Sequence, residues 1–203
     1  MKIDKYEKIG LGKYRIFLSN GEVIDIYDDV IVNNELLLKK ELDKDLYDKI
    51  IKDNSLQDLY NSCVKYITVR IRCIKEIRDY LIKKKVNDSD ISLIIDKLIN
   101  NKILDDDKFC ECFIKDKLRF TSWGPYRIIR ELNNYNISND IINKYGYLMD
   151  DDVVYEKLYK LILKSINNNR KLDNIKLRNK IYRNYINMGF KSDMIVSILN
   201  SEL

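Results

Sequence analysis

A chain of 203 residues that is 34% charged and 45% hydrophobic, with six glycines, one proline and no histidine or alanine, excludes mechanisms built on an imidazole base, a His-paired nucleophile or a His-rich metal site. So few helix breakers over this length favour helices joined by short connections over an all-β fold rich in turns. The net charge of +5 is unevenly placed: residues 1–58 carry 10 Lys and Arg against 13 Asp and Glu, residues 59–156 carry 17 against 16, and residues 157–203 carry 10 against 3. No apolar stretch approaches the roughly 20 residues of a membrane span, and Met1-Lys2-Ile3-Asp4 does not begin a signal peptide. The chain is therefore expected in the cytoplasm, without a membrane partner, where Cys63, Cys73, Cys110 and Cys112 stay reduced.

The first 55 residues read as a small head. Lys13 to Leu18 and Val23 to Tyr27 are strand-like runs flanking Ser19-Asn20-Gly21-Glu22, and Asn-Gly between such runs signals a hairpin. Residues 2–9 offer a third strand. An acidic connector follows, then a short helix from Asp43 to Lys52, with Asp43 as its cap and Leu46, Ile50 and Ile51 at helical spacing. Asp53-Asn54-Ser55 is expected to end this head.

From Leu56 the pattern is helical and repeats. Val86-Asn87-Asp88-Ser89, Ile137-Ser138-Asn139-Asp140 and Phe190-Lys191-Ser192-Asp193 each place an apolar residue before a polar cluster able to cap a helix. Ile103-Leu104-Asp105-Asp106-Asp107 is echoed about 45 residues on by Tyr147-Leu148-Met149-Asp150-Asp151-Asp152, a spacing typical of helical repeats. These marks divide the chain into a head (1–55) and three three-helix units (56–104, 105–148 and 149–203). The expected helices are Leu56 to Thr68, Cys73 to Lys85 and Ser89 to Asn101, then Asp106 to Phe120, Pro125 to Asn134 and Asn139 to Tyr145, then Asp151 to Asn167, Asn174 to Met188 and Asp193 to Leu203. Each is too short to be stable alone and must bury its apolar stripe against its neighbours. The expected fold is mainly α: three tandem three-helix repeats in an elongated, curved body, with a small β-hairpin region at the N-terminus.

Several motifs have a plain structural explanation. The Asp triplets suit helix N-termini, where carboxylates cap and oppose the dipole, better than a Mg²⁺ site. Cys110 and Cys112 fall on different helix faces and no CxxC occurs, so the thiols read as apolar filler rather than metal or redox centres. Trp123, just before Gly124-Pro125, reads as hinge packing rather than a platform for a base. Two basic clusters stand out, Arg70 to Lys85 and Lys157 to Lys191. Such concentrations attract polyanions or acidic protein surfaces through salt-sensitive electrostatics.

The most distinctive stretch contains Leu104-Asp105-Asp106, Phe109, Phe113 and Gly124-Pro125-Tyr126-Arg127-Ile128-Ile129-Arg130-Glu131-Leu132. In order and spacing it resembles the central repeat of RecX, the regulatory protein of the RecA recombinase. Arg70-Ile71-Arg72-Cys73-Ile74-Lys75-Glu76-Ile77 is similar to the same family's first-repeat pattern, with Cys73 in place of the usual serine. Lys180 to Phe190 resembles its basic helix ending in Arg-Gly-Phe, with Met188 where an arginine is common. The resemblance covers residues 56–203, and the head resembles the N-terminal extension of RecX proteins from Gram-positive bacteria.

The resemblance implies a non-enzymatic protein that binds the RecA filament on single-stranded DNA, lies in its groove and inhibits ATP hydrolysis and strand exchange; no cofactor is expected, and a chain of open-ended repeats can work as a monomer. Arg70, Arg72, Lys75, Arg78, Arg127, Arg130, Arg178, Lys180 and Arg183 are then the expected contacts to acidic protein or DNA phosphate. The alternative is a stand-alone nucleic-acid-binding helical module that tracks a backbone with its basic third unit. A weaker third reading is an enzyme using the Asp triplets and a metal.

Overall fold

In the computed structural model, which describes residues 1–203, three antiparallel strands open the chain: β1 (Ile3–Gly10), β2 (Lys13–Leu18) and β3 (Val23–Tyr27), in the order β1-β2-β3. The expected hairpin and third strand are both present. Gly21, at φ 84°, lets the chain reverse, and Leu18 and Glu22 close the turn through the 2.9 Å Leu18 N–H to Glu22 C=O bond. Because side chains alternate across a strand, Ile16, Leu18 and Ile26 share one buried face. Opposite that face Arg15 and Asp25 pair across the ladder at 2.8 Å.

The acidic connector contains a short helix, α1 (Asp28–Asn33), whose Val30 and Ile31 close the head core over the sheet with Leu36, Leu42 and Ile50. The next helix corrects an expectation. Instead of stopping at Asp53-Asn54-Ser55, α2 runs unbroken from Lys44 to Val69. Two of those polar residues find partners in the head rather than ending the helix: Asn54 receives the Tyr27 N–H and donates to the Asp25 carbonyl, both at 3.0 Å, and Asp53 accepts from Asn34 at 3.0 Å. Residues that compete with helical hydrogen bonding in isolation are here held by the edge of β3. Asp43 caps the helix as expected, accepting from the Leu46 N–H at 2.7 Å.

The remaining helices are α3 (Ile74–Lys83), α4 (Asp88–Asn100), α5 (Asp106–Phe120), α6 (Pro125–Asn134), α7 (Asn139–Lys144), α8 (Asp151–Asn168), α9 (Asn174–Asn187) and α10 (Ser192–Glu202), with a 3-10 turn at Gly146–Met149 before α8. Their ends explain the sequence repeat. α3, α4, α6 and α9 each close with a left-handed residue, Lys85, Lys102, Asn136 and Gly189. The next residue's N–H then returns to the carbonyl five positions back: Val86 to Leu81, Ile103 to Leu98, Ile137 to Leu132 and Phe190 to Tyr185, at 3.0–3.2 Å. The apolar residue that recurs before each polar cluster is thus the closing residue of the preceding helix. Asn87 and Ser138 then cap α4 and α7. At α10 the cap position falls on Lys191, one residue earlier than expected, and Ser192 hydrogen-bonds Tyr182 instead.

The chain forms two compact units. The first holds residues 1–71 and 77–104, the second residues 72–76 and 105–203. In the second unit Phe109, Phe113 and Tyr135 form an aromatic cluster with centroids 5.4–5.7 Å apart, beside buried Ile114, Ile128 and Leu132. The last three helices enclose Leu158, Ile162, Ile181, Tyr185, Phe190 and Ile198.

Candidate partner-binding site

The Leu-Asp-Asp motif is an organising centre of the second unit. Asp105 caps α5, accepting from the N–H groups of Asp107 and Lys108 at 2.9 and 3.2 Å. Asp106 reaches the start of α3 and accepts the Ile74 N–H at 2.7 Å. Cys73, lacking an oxygen, cannot cap α3 itself, and Asp106 supplies the missing acceptor from another helix. Glu76 completes the arrangement by reaching back to the Cys73 N–H at 3.3 Å. Burial pushes the Asp106 carboxyl above its ordinary range, against the opposing pull of the Ile74 N–H. Asp107 pairs with Lys144, which holds its carboxyl below the usual range. The three carboxylates thus serve three different partners. In the second triplet Asp150 stands at the cap position of α8 without a side-chain bond, while Asp151 pairs with Lys191 at 2.6 Å.

Two motifs far apart in sequence meet in space. The Gly124 N–H donates to the Met188 carbonyl at 2.7 Å and the Tyr126 N–H to the Gly189 carbonyl at 3.0 Å. These are among the orphan donors at the start of α6, and the loop closing α9 satisfies them. The backbones touch because both contact residues are glycine. A Cβ at 124 would lie 2.4 Å from the Gly189 oxygen, and one at 189 would lie 2.4 Å from the Arg127 nitrogen. Gly189 is also left-handed, at φ 88°.

Trp123 packs at this junction, as the hinge reading expects. Its ring lies 4.4 Å from the Arg127 guanidinium and 4.8 Å from the Lys117 ammonium. Its carbonyl accepts from Lys157 Nζ at 2.7 Å; burial lowers the Lys157 ammonium to about 8.

The nine expected cations divide sharply. Arg72 is in an ion pair with Glu76 in which the side chains are only 11% and 13% exposed, so it is committed to the start of α3. Lys75 donates to the Asn134 carbonyl at 2.6 Å, at the end of α6. Arg178 bonds the Leu199 carbonyl and Asn200 at the end of α10. Lys75 and Arg178 thus stitch helix ends together. Arg70 is exposed at the end of α2, with a bond to the Ile71 carbonyl, and Arg78 is half-buried on α3. Arg130, Lys180 and Arg183 are exposed, Lys180 donating to Asn169 at 2.7 Å.

Arg127 differs from all of these. It is half-buried, its Nη1 lies 3.5 Å from the Met188 thioether, and its buried Nε has no hydrogen-bond acceptor. It lines a cleft of about 1000 Å³ between the start of α6 and the α9–α10 turn, with Arg130, Lys191, Tyr126, Ile186 and Asp193. Tyr126 is 59% exposed and Ile186 37% exposed, so the cleft has apolar contact surface as well as charge. Arg127 and Arg130 are among the expected contacts and Lys191 ends the second basic cluster, whereas the sequence gives no sign that Tyr126 and Ile186 line a contact surface. Residues 61 positions apart meet here, as Arg127 and Met188 do, and no local spacing pattern reveals that.

Repeated triplets of helices, the middle helix of each ending in the same left-handed turn, define a helical-repeat protein with a β-stranded head. Two family models match the chain, one for the first three-helix domain of RecX over residues 60–98 and one for the second over residues 105–145. Over both of these domains the chain is similar to the RecX family of regulatory proteins. It is similar to the regulatory protein RecX of Listeria monocytogenes (28% identical, over 90% of this chain and 68% of that one). It is also similar to those of Bacillus velezensis (28%, over 95% and 73%) and Lactococcus lactis subsp. cremoris (29%, over 93% and 72%). A crystal structure of a regulatory protein RecX has the same fold, with a TM-score of 0.86 over 99% of both chains at 21% identity. The RecX structure from Lactobacillus salivarius gives 0.65, at 26% identity, over 72% of this chain and 95% of that one.

Proposed function

We propose that this protein modulates the RecA recombinase, binding its filament on single-stranded DNA and lowering ATP hydrolysis and strand exchange in recombination and repair. It works as a cytoplasmic monomer, through binding rather than catalysis and without a cofactor. The observation that carries this reading is the match of both the first and the second three-helix domains to RecX, over residues 60–98 and 105–145. The physical arrangement supports it: cations left outward after the internal ties are made, Arg130, Lys180 and Arg183 above all, belong to the second unit. They suit acidic protein or phosphate, and steer association by long-range attraction.

The test is the DNA-dependent ATPase of the RecA from the same organism, measured with this protein at stoichiometric amounts. A fall in rate is expected; no effect on the ATPase or on filament binding would refute the reading.

A second reading, direct nucleic-acid binding, is favoured by Lys176, Lys180 and Arg183, which recur at helical spacing along one exposed face of α9. It requires salt-dependent binding to single-stranded DNA in the absence of recombinase.

A further inference from the structure

Arg127 is a cation held in place without an anion. Its guanidinium rests against the Trp123 ring at 4.4 Å, its Nη1 meets only the weakly accepting Met188 thioether at 3.5 Å, and its buried Nε has no acceptor. A buried donor left in this state carries a desolvation cost that nothing in the chain offsets, and the side chain lines the cleft, where an acceptor can meet its terminal nitrogens. The planar fork of arginine, oriented by stacking, suits a carboxylate or phosphate in two parallel bonds. The Gly124–Gly189 interlock fixes the backbone on both sides of it, so the receptor is preorganised.

We propose that the cleft between the start of α6 and the α9–α10 turn docks an acidic peptide segment of a partner protein, with Arg127 receiving a carboxylate at its base and Arg130 a second at its rim. This rests on the modulatory reading above and assigns the partner's chemistry at that site. Two observations favour acidic peptide over nucleic-acid backbone. Tyr126 and Ile186 expose apolar surface into the cleft, matched by apolar residues between carboxylates rather than by phosphates. Asp193 lines the same cleft, where it would repel a continuous phosphate chain but leaves room for spaced carboxylates. Lys191 is already neutralised by Asp151, so the open positive charge concentrates on the two arginines.

The experiment titrates the full chain into a fluorescein-labelled peptide of alternating glutamate and leucine, and separately into labelled oligo-dT, following anisotropy. Peptide binding is expected to weaken about tenfold in Arg127→Met and several-fold in Arg130→Gln. Lys83→Gln, an equal charge loss on α3, is expected to leave it unchanged. Oligo-dT binding is expected to be insensitive to Arg127→Met. Thermal melting checks that Arg127→Met folds, and the exposed Arg130 gives an independent variant. Absence of peptide binding, or equal weakening by Lys83→Gln, overturns the proposal. So does loss of oligo-dT affinity in Arg127→Met without peptide binding, which would assign the cleft to phosphate. Since the peptide is read without recombinase, its failure leaves the ATPase result intact, and failure of the ATPase test leaves the peptide result intact.

Discussion

Replacing Gly124 by alanine tests the junction on which the second unit depends. The new Cβ would lie 2.4 Å from the Gly189 oxygen, 2.5 Å from its carbonyl carbon and 2.7 Å from the Phe190 nitrogen. All three are backbone atoms, so no rotamer change relieves the clash and the α9–α10 turn must retreat from α6. Retreat stretches the 2.7 Å Gly124–Met188 and 3.0 Å Tyr126–Gly189 bonds. Each bond contributes about 1 kcal/mol, and a buried donor left without an acceptor costs a further ~1–3 kcal/mol. Water reaches part of the opened gap, so the net loss is about 2–4 kcal/mol. Urea unfolding followed by the fluorescence of Trp123, the single tryptophan and a residue of this junction, should show the midpoint falling by about 1–2 M. Gly189→Ala should lose at least as much, since it adds strain at φ 88°. Gly10→Ala, which meets nothing within 4 Å, should be nearly neutral. A Gly124→Ala midpoint indistinguishable from that of Gly10→Ala would refute the interlock.

Asp106 binds protons more readily in the folded chain than in the unfolded one, because burial raises its carboxyl. The native state therefore holds the extra proton across that window and stability falls as pH rises through it. Asp106→Asn keeps an oxygen for the Ile74 N–H without the charge. It should equal or exceed the wild type in stability at neutral pH and lose that advantage in acid, whereas Asp106→Ala should cost about 1 kcal/mol; denaturant midpoints across pH check both. Lys157 behaves oppositely in sign of shift: the folded ammonium titrates near 8 against an ordinary 10.5, so the unfolded chain holds the extra proton between them and stability rises with pH there. Lys157→Met should flatten that rise in the same titration. Burial pushes Cys63, Cys73 and Cys110 up to about 11, so a thiol reagent applied to native protein at mildly alkaline pH should leave these three unmodified and label all four cysteines after denaturation. Labelling of Cys63 in folded protein would contradict the packing of α2.

Much of the fold is local in origin and was therefore legible. The Asn20-Gly21 turn, the Asp43, Asn87, Asp105 and Ser138 caps and the Pro125 start of α6 are set by the conformational preferences of a few adjacent residues. Where tertiary bonds compete with local preference, the reading failed. Asp53-Asn54-Ser55 looks like a stop, yet α2 continues, with β3 and Asn34 satisfying the Asn54 and Asp53 side chains. Of the candidate site, the residue types were legible but not their assignments. Lys75 and Arg178 have the charge and spacing expected of contacts, and only the positions of Asn134 and Leu199 reveal them as internal ties.

The amino-acid sequence by itself determined that the chain is helical, that it repeats, that its positive charge gathers at the C-terminal end, and that it resembles the RecX family. The first three follow from periodicity, capping chemistry and composition, and the resemblance from motifs matched in order and spacing, all readable over short windows. Only the tertiary structure decided that Asp106 caps a helix other than its own, that the Gly-Pro and Gly-Phe motifs are one joint, and that Arg127 is left facing a cleft without an anion. Each depends on backbone segments remote in sequence approaching within hydrogen-bonding distance, and that approach is set by the packing of whole helices rather than by any residue's own preference.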